Sequence, residues 1–158
     1  MNPEQDFRDV ARAIIDSIVY MVLGTADETG HPWVSPVYFA SEKYREFYWM
    51  SSPDVTHSRN ILVRPAVSIV VFDSHIRVGM GQAVYMSAVA EELTGLEFDR
   101  GLRIYNGRFS NPAEHGVRII SAKDVQAPAP YRLYRAVVHE HWILDPASRP
   151  DHRTPVTL

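Results

Sequence analysis

The sequence has no cysteine, no surplus of positive charge and no hydrophobic run long enough to cross a membrane. Without cysteine, disulfide bonds, thiolate nucleophiles and cysteine-bound zinc are all excluded. Sixteen Lys and Arg against nineteen Asp and Glu give a net charge of −3, so there is no broad basic field for nucleic acid or an anionic membrane. The apolar run Ile18 to Leu23 is too short to span a bilayer and lacks the flanks of a signal peptide. We therefore expect a cytoplasmic protein with neither nucleic-acid nor membrane partners.

The composition is that of an ordinary globular domain. Of the 158 residues, 46% are hydrophobic and 22% are charged, which predicts one folded core and leaves little room for a second domain. Eleven prolines stand beside eight tyrosines and three tryptophans. Because proline breaks helices and aromatic residues favour strands, this mixture predicts short strands joined by tight connections.

Hydrophobic periodicity and turn residues divide the chain into alternating elements. Helices are predicted at 3–17, from Ser52-Pro53-Asp54 to Arg64, and at 94–106. Strands are predicted at 18–25, 33–40, 47–51, 66–72, 79–91 and 131–144. Six strands with short helices predict a mainly β fold, a closed or partly closed antiparallel barrel over residues 1–145. Residues 146–158 are rich in proline and are predicted to form a tail that is mobile or lies over a neighbouring surface.

One segment, from Ser51 to Asn60, has the composition of an anion site. Two hydroxyl residues end a strand, a helix starts at once, and Arg59 follows one turn later. Free amides at a helix start, hydroxyls and a cation together suit a phosphate. Asp54 opposes this, because a carboxylate in the first turn already satisfies the helix terminus. On the local pattern alone, a capped connecting helix with a solvated polar face is the simpler interpretation.

The aromatic and histidine residues allow two further interpretations. Trp33, Trp49 and Trp142 lie on predicted strands, where they either stack on a flat ligand or form an aromatic core. His139 and His141, two residues apart, are predicted to share one strand face. They could supply two metal ligands, although the others must come from elsewhere, and solvent-facing histidines are the alternative. No nucleophile elbow, Walker loop or HExxH motif is present, so hydrolase chemistry is not predicted.

The order of several short segments is more specific than any one of them. Along the chain run VLGTAD at 22–27, GHP at 30–32, SPV at 35–37, SSPD at 51–54, HSRNI at 57–61 and RPAVSI at 64–69. This succession resembles the pyridoxamine 5′-phosphate oxidase-like, FMN-binding split-barrel family. The resemblance implies a six-stranded antiparallel split barrel with Greek-key connections. It also implies a two-fold homodimer that shares two flavin sites across its interface.

The resemblance also assigns site residues by position. In that family, the strand that ends in the hydroxyl pair and the helix after it hold the FMN phosphate, while flanking strands line the flavin ring. The residues that contact the phosphate would be Ser51, Ser52, Thr56, His57 and Arg59. The ring would lie along Val34, Ser35, Pro36, Val37 and Trp49, and Trp142 would reach the flavin of the partner chain.

Two departures from the family pattern narrow the function. The family often has lysine where His57 stands, and a neutral histidine holds phosphate less firmly than a fixed cation. Authentic pyridoxamine phosphate oxidases also carry a longer C-terminal part with an arginine cluster that binds the substrate phosphate. In this chain, Arg132 and Arg135 lie near the corresponding place, but the rest of that pattern and the chain length do not match. Vitamin B6 oxidation is therefore not expected. We expect an FMN-dependent oxidoreductase of a small molecule, with no assigned catalytic acid or base. The alternatives are a deazaflavin-dependent reductase, or a non-catalytic flavin- or haem-binding protein that uses His139 and His141.

Overall fold

A computed structural model describes residues 3–145, 148 and 150–158. The helices are α1 (Pro3–Ser17), α2 (Thr56–Val63), α3 (Phe98–Asn106) and α4 (Ala122–Val125), with short 3₁₀ helices at Gly95–Glu97 and Pro112–His115. The strands are β1 (Tyr20–Ala26), β2 (Pro32–Tyr38), β3 (Ala40–Glu42), β4 (Glu46–Ser51), β5 (Ala66–Phe72), β6 (Ala83–Glu92), β7 (Arg132–Asp145) and β8 (His152–Pro155). None of these helices has the length and hydropathy needed to cross a membrane.

The strands form one antiparallel sheet in the order β2-β1-β5-β6-β7-β4-β3, with β8 added beside β7. Strands β2 and β3 are consecutive in the chain, yet they pair with β1 and β4 at opposite ends of this order. The chain bends between them at Phe39, whose backbone N–H bonds to the carbonyl of Val19. One bent segment thus joins both edges of the sheet, which confirms the predicted mainly β split barrel.

Alternate side chains of the strands fill the barrel, as the period of two requires. Met21 and Leu23 of β1 are fully buried, and they pack in one cluster with Ile69 of β5 and Ile143 of β7. Helix α1 covers this cluster with the buried face that includes Ile15. The barrel interior is therefore filled by a packed core.

Helix α3 packs on the outside of the barrel. It covers Tyr48 and Leu133, which point away from the main core, and forms a second cluster with them. Gly101 of α3 lies so close to this surface that an added Cβ would stand 2.2 Å from Leu93 Cδ2. At the edge of the contact, Arg100 pairs with three carboxylates, those of Glu42, Glu46 and Glu97. We call this group the Arg100 ion-pair cluster.

The described part of the predicted tail, residues 146–158, lies on the barrel as a strand, so of the two predicted alternatives it is not the mobile one. Strand β8 pairs with β7 of the same chain, with Pro155 opposite Trp142. Val156 then enters the main core with only 7% of its surface exposed. A four-residue strand with no regular alternation has too little pattern to be recognised in advance.

Two other boundaries differ from the prediction. Strand β6 begins at Ala83 rather than at Gly79, because residues 73–82 form a loop in which Gly79 has a φ of 82°. Helix α4 was not predicted. Its N-cap is Ser121, which forms a reciprocal capping box with Asp124.

Candidate functional site

Helix α2 begins later than predicted, and this changes the electrostatics of its start. The helix starts at Thr56, after Val55 as N-cap, with no side-chain cap and no acidic residue in the first turn. Ser52 holds the preceding turn, its Oγ accepting the Asp54 N–H at 3.2 Å. Asp54 therefore lies just before the N-cap and does not cap the amides of α2 in place of an anion. The uncapped amides of α2 keep their capacity to bind one.

His57 connects three elements at this point. Its Nε2 lies 2.8 Å from Ser51 Oγ at the end of β4, and its Nδ1 lies 3.1 Å from Ser35 Oγ on β2. Trp33 Nε1 donates a further hydrogen bond to Ser35 Oγ at 3.1 Å. Both His57 and Ser51 are buried. We call Ser35, Ser51 and His57 the His57 cluster, and all three are residues that the sequence resemblance assigned to the site.

The protonation state of His57 follows from its burial. Burial lowers the pKa of His57, because the charged imidazolium loses solvation. The neutral ring has one N–H donor and one acceptor nitrogen. In either tautomer one serine must donate to the ring while the other accepts from it. The serine that accepts has its own hydroxyl hydrogen left for a third partner. The His57 cluster can thus donate one hydroxyl to an external group, but it carries no full positive charge.

Positive charge comes from Arg59 instead. Arg59 is exposed on α2, and its guanidinium makes no ion pair or hydrogen bond with the described residues. Helix α2 itself is held against β1 by the buried Asn60, whose Nδ2 donates to Thr25 Oγ1 at 3.0 Å. Sequence reasoning missed this anchor, although a polar residue on the inner face of a helix was a usable signal. The anchor fixes the backbone around Arg59 relative to β1.

The residues assigned to the flavin ring fall into two groups. Val34 is 66% exposed, and Pro36 is also exposed. Both lie on the edge strand β2, the kind of strand in which proline is tolerated. Val37 and Trp49 instead lie in the main core. Trp49 has no exposed surface and stacks on Tyr134, with ring centroids 5.6 Å apart. Only the first group offers a surface to a ligand in a single chain.

Trp142 is far from the His57 cluster of its own chain. Ser51 pairs with Arg132 on β7, and Trp142 lies ten residues further along that strand. Across the sheet the route is shorter, because Trp142 pairs with Tyr85, Tyr85 with Val70, Val70 with Val22, and Val22 with Pro36 beside Ser35. Four steps of about 4.8 Å give a separation of roughly 19 Å. Trp142 is therefore not part of the His57 cluster within its own chain.

The prediction that His139 and His141 share a strand face was wrong. A β-bulge shifts the register, so that Ser87 pairs with Glu140 and Ala88 pairs with Val138, and His139 is the extra residue. His139 is exposed, whereas His141 is buried and its Nε2 donates to the carbonyl of Tyr44 at 2.7 Å. Within the described part of the chain, no three His, Asp or Glu side chains are placed to hold a metal.

Several solved structures share this fold. HutZ, the haem storage protein of Vibrio cholerae, matches with a TM-score of 0.65 and 18% identity over 84% of this chain and 90% of its own. A haem-binding protein from Mycobacterium smegmatis matches with a TM-score of 0.72 and 18% identity, over 98% of this chain but only 59% of its own. A protein proposed to confer 5-nitroimidazole resistance, from Bacteroides thetaiotaomicron, matches with a TM-score of 0.67 and 17% identity over 86% and 82%.

At such identities these likenesses establish the fold alone. No curated protein matches the sequence. The family profile described as pyridoxamine 5′-phosphate oxidase, in contrast, matches residues 7–143, which include every strand from β1 to β6 and nearly all of β7. The chain therefore belongs to the pyridoxamine 5′-phosphate oxidase family.

Proposed function

We propose that this protein is an FMN-dependent oxidoreductase of a small molecule and that it works as a two-fold homodimer with two flavin sites. The observation that carries the proposal is the meeting of Ser35, Ser51 and His57 beside the uncapped start of α2 and the unpaired Arg59. Family membership adds support, because the sequence resemblance placed the FMN phosphate at this helix. The substrate and the electron donor are not part of the proposal.

The chemistry of these groups fits a phosphate monoester. Backbone amides at the start of α2 can donate to phosphate oxygens, and the helix dipole favours negative charge there. The His57 cluster offers one hydroxyl donor, and Arg59 offers a charged, forked donor. Since His57 is neutral where the family often has lysine, Arg59 supplies the side-chain charge that would hold the phosphate.

The exposed edge of β2 would form one wall for the flavin ring. Val34 and Pro36 are exposed on one face of β2, whereas Trp33, held by its hydrogen bond to Ser35, is exposed on the other. Pro36 donates no backbone hydrogen bond, so the strand edge presents apolar surface at this point. When bound, the flavin supplies the hydride or electron chemistry. The protein's part is to anchor the phosphate, orient the ring and keep one ring face open to substrate.

The outer face of the sheet favours a second copy of the chain as the partner. Gly24, Ser68 and Ser87 are opposite one another on β1, β5 and β6 and form a row of small residues across the sheet. They line a depression of about 560 Å³ whose rim includes the exposed Val34 and Val89. A small-residue floor with an apolar rim permits close approach of another surface. In such a dimer, Trp142 would reach the flavin site of the partner chain.

Titration with FMN tests the phosphate site. Changing Arg59→Ala together with Ser51→Ala should weaken FMN binding by roughly 2–4 kcal/mol, because each change removes a hydrogen bond to a charged group. The matched control is the double variant Arg103→Ala with Ser110→Ala. Both residues are exposed and lie far from α2 in the sequence. If the first double variant binds FMN as tightly as the control does, the phosphate site is not at this helix.

Haem binding is the second candidate, because one observation favours it. The bulge in β7 leaves His139 exposed, so its imidazole could serve as an axial ligand. His141 is unsuited, since it is buried and bonded to a backbone carbonyl. A deazaflavin with a longer acidic tail would need more cations than Arg59 provides. The absorption spectrum separates the candidates, because haem gives a Soret band and flavin does not.

A further inference from the structure

A second cavity, of about 330 Å³, lies on the outer surface of the barrel between β2, β4 and the segment after α3. Its lining includes Tyr38, Met50, Tyr105, Phe109, His115 and Arg118, and we call it the aromatic cavity. Successive side chains on a strand point to opposite faces. Met50 therefore faces away from Ser51, and Tyr38 faces away from Val37. The aromatic cavity and the His57 cluster thus occupy opposite faces of the sheet.

The walls of the cavity are flat rings in fixed orientations. Tyr38 meets Tyr105 edge to face, with centroids 5.4 Å apart and planes at 87°. Phe109 lies 6.3 Å from Tyr38, and His115 stacks on Phe109 at 3.8 Å and 13°. The Tyr38–Tyr105 pair has the preferred edge-to-face geometry, and these flat walls offer surfaces on which an additional ring could pack. The volume is within the usual range for small-molecule sites.

One of the lining residues, Tyr38, has a side-chain hydrogen bond missing. The Tyr38 hydroxyl oxygen is shut off from solvent and has no partner among the described residues. Burial raises the pKa of Tyr38, so its hydroxyl stays protonated and can donate. A buried donor without an acceptor is costly, and native structures rarely keep one unless another group completes the bond.

The charges around the cavity are positive. Arg118 stands at the mouth with 70% of its side chain exposed, and one of its nitrogens pairs with Asp124 at 3.0 Å. Behind the walls, the Arg108 guanidinium lies 6.0 Å from the Tyr38 ring centroid and 5.4 Å from that of Phe109. The lining contains no carboxylate. The electrostatic environment therefore favours an anion over a cation.

We propose that the aromatic cavity binds a small aromatic carboxylate. The ring would lie against Tyr105 and Phe109, with the carboxylate at the mouth beside Arg118. A polar substituent at the opposite end of the ring would accept the hydrogen bond of Tyr38. This proposal does not depend on the identity of the cofactor, because none of these residues belongs to the His57 cluster or to α2.

Calorimetric titration of the full-length protein with three probes tests the proposal. The probes are 4-hydroxybenzoate, which has both polar ends, benzoate, which lacks the hydroxyl, and 4-hydroxybenzamide, which lacks the charge. We expect 4-hydroxybenzoate to bind about five- to tenfold more tightly than either of the others, since each of these loses one hydrogen-bonded end.

Two variants assign the ends of the ligand. Tyr38→Phe should reduce the affinity for 4-hydroxybenzoate to that for benzoate and leave benzoate unchanged. Arg118→Gln should weaken both carboxylates about five- to tenfold and leave 4-hydroxybenzamide unchanged. Tyr131→Phe and Arg103→Gln make the same chemical changes on exposed surface and should change none of the affinities. Thermal melts of all four variants confirm that they fold.

Three results would overturn the proposal. The first is that no probe binds at millimolar concentration. The second is that binding is unaffected by Tyr38→Phe and Arg118→Gln. The third is that FMN displaces 4-hydroxybenzoate and loses affinity itself in Tyr38→Phe, which would assign the cavity to the flavin ring. Failure of the proposed FMN phosphate site would be seen in a different experiment, the FMN titration of the Arg59→Ala and Ser51→Ala double variant.

Discussion

Replacing His57 by leucine is the sharpest test of the hydrogen-bond geometry at the site. The change keeps a side chain of similar size but removes both ring nitrogens, so the bonds to Ser35 and Ser51 are lost. Each bond is worth about 0.5–1.5 kcal/mol, and the buried Ser51 hydroxyl left without a partner costs about 1–3 kcal/mol. We therefore expect His57→Leu to lower the free energy of unfolding by roughly 2–4 kcal/mol near neutral pH.

The pH dependence of this loss has a definite sign. Because burial lowers the pKa of His57 in the folded state below its ordinary 6.5, the unfolded chain binds one more proton between the two values. Wild-type stability must then fall as the pH drops from about 6.5 towards the folded pKa, by up to about 1.4 kcal/mol per pH unit. The leucine variant cannot bind this proton, so its free energy of unfolding should fall less steeply as the pH is lowered. His141 contributes in the same direction in both proteins, because burial lowers its pKa too.

Urea unfolding of wild type and variant, between about pH 5 and pH 8, measures both effects. His31→Leu is the control, since it makes the same change at an exposed position on the β1–β2 turn. The variant's deficit should be largest near neutral pH and should shrink on acidification. An acid slope identical to that of wild type would refute the assignment of His57 as a buried, neutral histidine.

Three further changes test the packing that positions the site. Gly101→Ala should lower the free energy of unfolding by roughly 1–3 kcal/mol, because the new methyl group would overlap Leu93 and Tyr48; an unchanged melting temperature would contradict the close packing of α3. Arg100→Met should destabilise by about 1–2 kcal/mol in low salt and less in high salt, as expected for a half-exposed ion-pair cluster; salt-independent melting would argue against that cluster. Val156→Ala should cost roughly 1.5 kcal/mol in chemical denaturation, and no loss would mean that β8 does not close the core.

The sequence predicted those parts of the fold that have strong local signals. Strand β5 runs from Ala66 to Phe72 as expected, because an apolar run rich in β-branched residues follows directly on Pro65. Helix α1 also matches, since its spacing of three and four places Ile15 and its neighbours on one buried face. The start of α2 was misplaced because Ser52 uses its hydroxyl in a turn instead of a cap.

The remaining features depend on contacts that no local pattern carries. The bulge at His139 separates two histidines whose spacing suggests a regular strand. On β4, Tyr48 and Trp49 are both fully buried because α3 covers the outer face, so alternation could not show that Trp49 points inwards. The resemblance assigned Ser35, Ser51 and His57 to one site. Their hydrogen bonds could not be predicted, because they join residues up to 22 positions apart in the sequence.

If the cluster at the start of α2 holds a flavin phosphate, the natural cofactor of the protein is FMN. The protein should be purified without added cofactor and denatured, and the released small molecule should be identified by mass together with the absorption spectrum of the native protein. We predict FMN, with flavin absorption that is lost when Arg59→Ala is combined with Ser51→Ala. Release of haem or a deazaflavin, or failure to bind FMN even when it is supplied in excess, would contradict the account.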